Sequence, residues 1–287
     1  MRAPRVQGFT LTELIIVIVL MGILATVVTP LIANKFSAVH QSTRRAHWVQ
    51  QAEYALFTLR QDLANSVPNS VFVDASGEQV EFLGASPDDE LFAARYRDKP
   101  NTSISDRLQP NNDDIFDIFG DFSERPPYVS IGTLNATDMR IDWGNLLGAG
   151  TTGTLASIAV MEPVLDAGVP ISPPETRITL PASQKFGAGS PYKRAYFTNG
   201  PIAYDCNTAV QQLYRVKAYD VLDPALNFVT RTALGNRARV IDSLVACNFE
   251  LVGGGTYLPP ALRVSLEIGD ASGTIQLIDT ILLSNGS

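Results

Sequence analysis

Histidine is almost missing from this chain: there are two, His40 and His47, and none after position 47. A Ser-His-Asp arrangement is therefore unavailable to the rest of the protein. Cysteine is as scarce, Cys206 and Cys247 alone, so no His/Cys set for a structural metal exists. No Gly-x-Ser-x-Gly and no phosphate-cradling glycine-rich loop is present. Basic charge is short, 22 Lys and Arg against 29 Asp and Glu, which argues against a nucleic-acid partner. Internal repeats and low-complexity tracts are absent. The last absence is local: from Leu14 to Ala33 there is no ionisable side chain.

That run of 20 residues, as a helix rising about 1.5 Å per residue, would reach roughly 30 Å, the thickness of a bilayer core. It predicts a transmembrane segment over about 14–33. Its left edge is unusual. Glu13 stands at the boundary, and Arg2 and Arg5 are the only basic residues of an eight-residue leader that ends in Gly8. A secretory signal would put its small cleavage residue after the apolar core; here it comes before. Cleavage after Gly8 would remove the leader, keep the span and leave Phe9 as the new amino terminus.

In this order of parts Gly8-Phe9-Thr10-Leu11-Thr12-Glu13 resembles the class III leader of type IV pilins and type II secretion pseudopilins. Gly22 and Pro30 lie within the span, the proline where many members of that family carry a helix breaker. By resemblance, Gly8 and Phe9 are the site of prepilin peptidase cleavage and N-methylation, Glu13 is the assembly residue, and Gly22 and Pro30 kink the helix.

Charge is divided unevenly. Residues 1–60 carry six basic and two acidic residues, a net +4, and the remainder a net −11. Lys35, Arg44 and Arg45 form a positive collar beyond the span, facing either lipid phosphates or water. His40 and His47 are seven apart, too far along a helix to share a metal, and read as surface or interface residues. Cys206 and Cys247 form one disulfide or remain two buried thiols; the oxidising compartment implied by the leader favours the bond. No cofactor is expected.

Apolar residues Val49, Ala52, Leu56, Leu59 and Leu63 step by 3 and 4, one seam of a helix. One helix is expected from about Thr10 to Ala64, ending at Asn65-Ser66-Val67-Pro68. After Val71 the period becomes two. Val71–Val73 and Val80–Leu83 flank a hairpin loop over Asp74–Gln79. Residues 84–127 read as polar and irregular. Within them Asn111–Asp121 concentrates carboxylates, but without the alternate spacing of a calcium loop. Ile115, Phe116, Ile118 and Phe119 there predict a short amphipathic helix.

Further strands are expected at Tyr128–Ile131, Met139–Asp142, Leu155–Met161, Arg177–Leu180, Tyr196–Phe197, Ile202–Tyr204 and Leu213–Tyr219. At the end Cys247, Phe249 and Leu251 alternate with polar residues, as do Leu262, Val264, Leu266 and Ile268. With Thr274–Leu283 they predict an antiparallel meander of inward apolar residues.

The expected fold class is α+β and pilin-like: a leader over 1–8, a long N-terminal helix over 9–66 and a periplasmic β-rich domain over 67–287. Gly200–Cys206, Leu213–Arg215 and Val245–Phe249 further resemble minor pilins of mannose-sensitive haemagglutinin (MSHA) type pili. The resemblance implies a non-enzymatic subunit held in the inner membrane and drawn into a pilus for surface adhesion. Its partners would be prepilin peptidase, other major and minor pilins, the inner-membrane assembly platform and, before assembly, lipid. A J-type pseudopilin of type II secretion is the neighbouring reading, and a membrane-anchored periplasmic enzyme or receptor the more distant one.

Overall fold

A computed structural model describes residues 11–84, 93–99, 104–122, 125–133, 151–181, 184–219, 235–253 and 259–283, apart from the side chains at 27, 30, 31, 33, 151 and 152. The chain divides into two units, residues 1–50 and 51–287. One helix, α1 (Leu11–Ala64), passes through both.

Helix α1 stops where the sequence predicts. Asn65 and Ser66 donate their amides back to Asp62 and Leu63 as the last turn closes, and Pro68 follows. Its seam within the second unit is also as read: Ala52, Leu56, Leu59 and Leu63 are buried, while Glu53 and Gln61 face solvent.

In chain order the first strands are β1 (Phe72–Val73), β2 (Gln79–Gly84), β3 (Ala93–Arg95), β4 (Ile115–Phe119) and β5 (Tyr128–Ser130). The proline-rich middle holds β6 (Thr151–Gly153), β7 (Leu155–Ser157), β8 (Val160–Pro163), β9 (Leu165–Asp166) and β10 (Val169–Pro170). It ends with β11 (Glu175–Thr179) and β12 (Gln184–Phe186). The last third carries the longer strands: β13 (Arg194–Thr198), β14 (Gly200–Asn207), β15 (Gln212–Lys217) and β16 (Asn236–Ile241). The chain closes with β17 (Leu244–Val252), β18 (Ala261–Asp270) and β19 (Gly273–Leu282).

The sheets are small and almost wholly antiparallel. Strands β1-β2-β14-β15-β16 form one, β17-β18-β19 another, and β3-β13-β5-β7 and β4-β11-β8 two more. Strands β9 and β10 form a hairpin, and β6 with β12 the one parallel pair among the described residues. Strand β14 is buried along nearly its whole length because β2 and β15 flank it on both edges and packed side chains cover both faces.

The β1–β2 loop is held by Asp74, whose carboxylate accepts the amides of Ser76 and Gln79. Gly77 takes φ +73 there, and a Cβ on it would sit 2.4 Å from the Asn248 side chain. Glycine thereby lets β17 approach, and the Phe249 amide donates to the Gly77 carbonyl at 2.7 Å. The Cys206–Cys247 disulfide fastens β14 to β17 beside it.

A second core lies in the sheets of β4 and β13. Phe116, Ile118, Ile178, Phe186 and Phe197 are at most 1% exposed. Phe116 meets Phe186 edge-to-face at 6.0 Å, a favourable aromatic geometry.

Several expectations need correction. The amphipathic helix over 115–119 is strand β4, paired with β11, and the region over 84–127 contains β3 as well. Asp117, the polar break in the apolar pattern, is buried and lies directly opposite Arg177, which neutralises it. Helical and extended readings of that short run differ only through this partner.

Leu155–Met161 is two strands in different sheets, broken where Ile158 and Ala159 donate to Pro127 and Thr179. Leu251 is exposed: alternation assigns a side, but not how far along an edge strand that side is covered. Strand β16 is mostly exposed and carries no apolar alternation in its sequence, because backbone pairing to β15 rather than an apolar face holds it. Met139–Asp142 lies outside the described residues. The terminal meander has the expected order, and Leu262, Val264, Leu266 and Ile268 are all buried.

The disulfide closes a loop across a sequence separation of 41. Replacing both cysteines by serine should lower unfolding free energy by about 3–4 kcal/mol on the chain-entropy account, read as a shift in the urea midpoint.

Candidate functional site: the N-terminal helix

Gly8 and Phe9 lie outside the described residues. Glu13 is in the first turn of α1 and exposed; an acid there is favoured by the positive end of the helix dipole. Beyond it the helix surface is apolar in every direction. Leu14, Ile15, Ile16, Val17, Ile18 and Val19 are six consecutive residues, more than one full turn, and each is at least 44% exposed. Apolar exposure continues through Leu24 and returns at Val28, Ile32, Phe36 and Val39.

A helix of this kind is stable only when something covers it, lipid or other helices. The hydroxyl of Thr26 donates to the Ile23 carbonyl at 2.8 Å, so its polar group is satisfied without water. Nothing lies within 4 Å of where a Cβ on Gly22 would stand. Position 30 is helical in the main chain. Lys35, Arg44, Arg45, His40 and His47 are exposed further along.

Among the described residues no helix is long and apolar enough to cross a membrane.

The unit from Gln51 onward holds buried charge that sequence reasoning missed. Asp62 lies on the apolar seam of α1, three residues after Leu59, and is 8% exposed. It accepts hydrogen bonds from the Tyr204 hydroxyl of β14 and from Nε of Arg215 of β15, each at 2.6 Å, and Nη2 of Arg215 donates to its other oxygen. The helix end is thus tied to the middle of the five-stranded sheet. Arg60 pairs with Asp279 of β19, so the same turn also reaches the meander. The available signal was an acid in register with Leu59 and Leu63.

Other buried acids are matched likewise: Glu175 by Arg97, Asp117 by Arg177, Asp205 by Arg237, and Glu81 by the Tyr219 hydroxyl. Each acid has a partner. These groups fix strands in place.

Of the carboxylates singled out at Asn111–Asp121, two are engaged, Asp113 accepting the Gln109 amide and Asp117 the Asp106 amide. Among the described residues no three His, Cys, Asp or Glu side chains converge to hold a metal ion.

Burial, reinforced by the Asp62 charge and the hydrogen bond to it, pushes the Tyr204 phenol far above the usual range, with Arg215 opposing. Burial lowers the Arg215 pKa, but its hydrogen bonds and charge contact with Asp62 outweigh this and hold the guanidinium charged. Burial and then Arg215 push Lys217 down, against the pull of Asp62.

Compared with known proteins, the chain matches the prokaryotic N-terminal methylation motif over residues 4–29, a type IV pilin-like prepilin signal. No curated protein and no solved structure matches it.

Two outcomes follow from the Asp62 cluster. Asp62→Ala leaves the buried Tyr204 and the half-buried Arg215 without their acceptor and should cost about 3 kcal/mol in urea unfolding, the lower end for breaking a buried pair. The unfolded chain releases the Tyr204 proton near pH 10.0, the folded chain only at higher pH. Stability from this group is therefore complete below pH 10.0 and falls as pH rises past it. Lys217, shifted downward, acts in the opposite sense, so the diagnostic comparison is with Tyr204→Phe, whose urea midpoint should fall less steeply on the alkaline side.

Proposed function

We propose that this protein is a type IV pilin-like subunit, and specifically a minor pilin of an MSHA-type pilus that takes part in assembling or priming a fibre for surface adhesion. The observation that carries the reading is the methylation motif over residues 4–29, followed by a helix apolar on every face. The finer assignment rests on the resemblance of Gly200–Cys206, Leu213–Arg215 and Val245–Phe249 to the minor pilin MshO.

In this reading prepilin peptidase cuts after Gly8, and the Phe9 amine is methylated and stays cationic. Residues 9–66 form the helix, with 14–33 crossing the inner membrane once, and residues 67–287 are the periplasmic domain. Gly22 and Pro30 are where the helix bends during extraction from lipid. The assembly platform then moves the helix among those of other major and minor pilins. An isolated carboxylate or ammonium in that apolar bundle would cost several kcal/mol. Glu13 of one subunit beside the Phe9 amine of a neighbour removes both costs together, so the pair sets axial register while apolar packing supplies cohesion. The subunit acts by packing rather than by catalysis.

The leader and the size of the unit spanning 51–287 equally suit a J-type pseudopilin of type II secretion. Location separates the two: a pilin co-sediments with sheared extracellular fibres, a pseudopilin stays with the cell envelope.

Mass mapping of the mature protein should begin at Phe9 with one added methyl group, and an intact Met1 would remove the basis of the reading. Glu13→Ala should be processed normally yet be reduced at least tenfold in sheared fibres by immunoblot; wild-type incorporation would exclude the charge pairing.

A further inference from the structure

The antiparallel β3–β13 ladder sets Arg95 directly opposite Arg194. Directly opposed residues project from the same face with Cβ atoms about 4.5–5.5 Å apart, and like charges so placed are destabilising. The face is the outer one, since both arginines are exposed while Ala94 and Ala195 beside them are buried. Among the described residues neither arginine has a hydrogen-bond or ion-pair partner. This is unusual in a region with a net charge of −11, where Arg97, Arg177, Arg215 and Arg237 each pair with an acid.

Arg95 and Arg194 border an open groove of about 690 Å³, completed by Ala93, Ala94, Pro191, Tyr192 and Lys193. Lys193 is already paired with Asp98, so the groove's uncompensated charge is that of Arg95 and Arg194. Tyr192 is 60% exposed beside them, with Pro191 preceding it in the chain.

We propose that this groove binds an acidic saccharide, the two arginines sharing one sugar carboxylate while Tyr192 and Pro191 take the apolar face of a ring. One carboxylate between two guanidinium forks converts a repulsion into charge-assisted hydrogen bonds. The flat ring of Tyr192, polar only at its tip, suits the C–H face of a pyranose. The volume matches a site for one or two sugar rings. A polynucleotide would require a basic stripe tracking successive phosphates, and this groove has two cations. The proposal is independent of filament assembly.

The test uses the purified full-length chain in non-ionic detergent, with α-1,4-linked tetragalacturonate as probe and isothermal titration calorimetry as readout. Tetragalacturonate should bind. Arg95→Gln and Arg194→Gln should each weaken it at least tenfold, and Tyr192→Ala at least threefold. Neutral maltotetraose, inorganic phosphate and tetrathymidylate should bind at least tenfold more weakly than the uronate.

No binding of the uronate, equal binding of any of the three controls, or unchanged affinity in either arginine variant would overturn the proposal. Without ligand, Arg194→Gln should melt no lower than the parent protein, because it relieves a repulsion. A lower melting temperature would show that Arg194 is already partnered, and would also overturn it.

Discussion

Asp62 is the joint on which the arrangement of the larger unit turns. It brings an acid into the apolar seam of α1, where an unpaired charge would be untenable, and it is held by Arg215 and Tyr204 from adjacent strands. Hydrophobic packing of Ala52, Leu56, Leu59 and Leu63 favours burying this helix face but is indifferent to small shifts along the axis. The bidentate Arg215 contact is not indifferent. One turn of slip would separate the acid from both donors, so direction and register are specified together.

Glu13 raises the same problem at the other end of α1. It too is an acid bordering a strongly apolar surface, exposed beside Leu14–Val19. For Asp62 the compensating charge comes from the protein's own strands. For Glu13 the proposed compensation comes from the amino terminus of another molecule. The second half of the helix buries its seam within its own unit, whereas Leu14–Val19 in the first half are exposed among the described residues.

Legibility from sequence followed this division. The helix, its end at Asn65 and its buried seam were readable because 3.6-residue periodicity reports burial directly. The terminal meander was readable for the same reason with a period of two. The middle of the chain was readable only in part, at Tyr128–Ile131 and Arg177–Leu180, where β5 and β11 lie. Its strands are two to five residues long, too short for a period to accumulate, and β4 and β11 place a charge inward. Asp117 in β4 looks like a surface residue until Arg177 is found opposite it, and Glu175 until Arg97 is found. Such pairs join residues 60 and 78 positions apart, a relation no local window contains. The motif at the N-terminus was legible for a different reason: its order of small residue, acid and apolar run is local.

Strand β19 carries one more consequence. It closes the meander at an edge, pairs with β18 over ten consecutive positions without a bulge, and contains neither lysine nor proline. Ile278 and Leu282 project from it, each more than 60% exposed. Such an edge is an open template for any extended chain that meets it. Within the unit from Gln51 onward, concentrated stocks of the protein therefore face a colloidal hazard at this strand, and its single acid, Asp279, offers little deterrence because Arg60 already neutralises it.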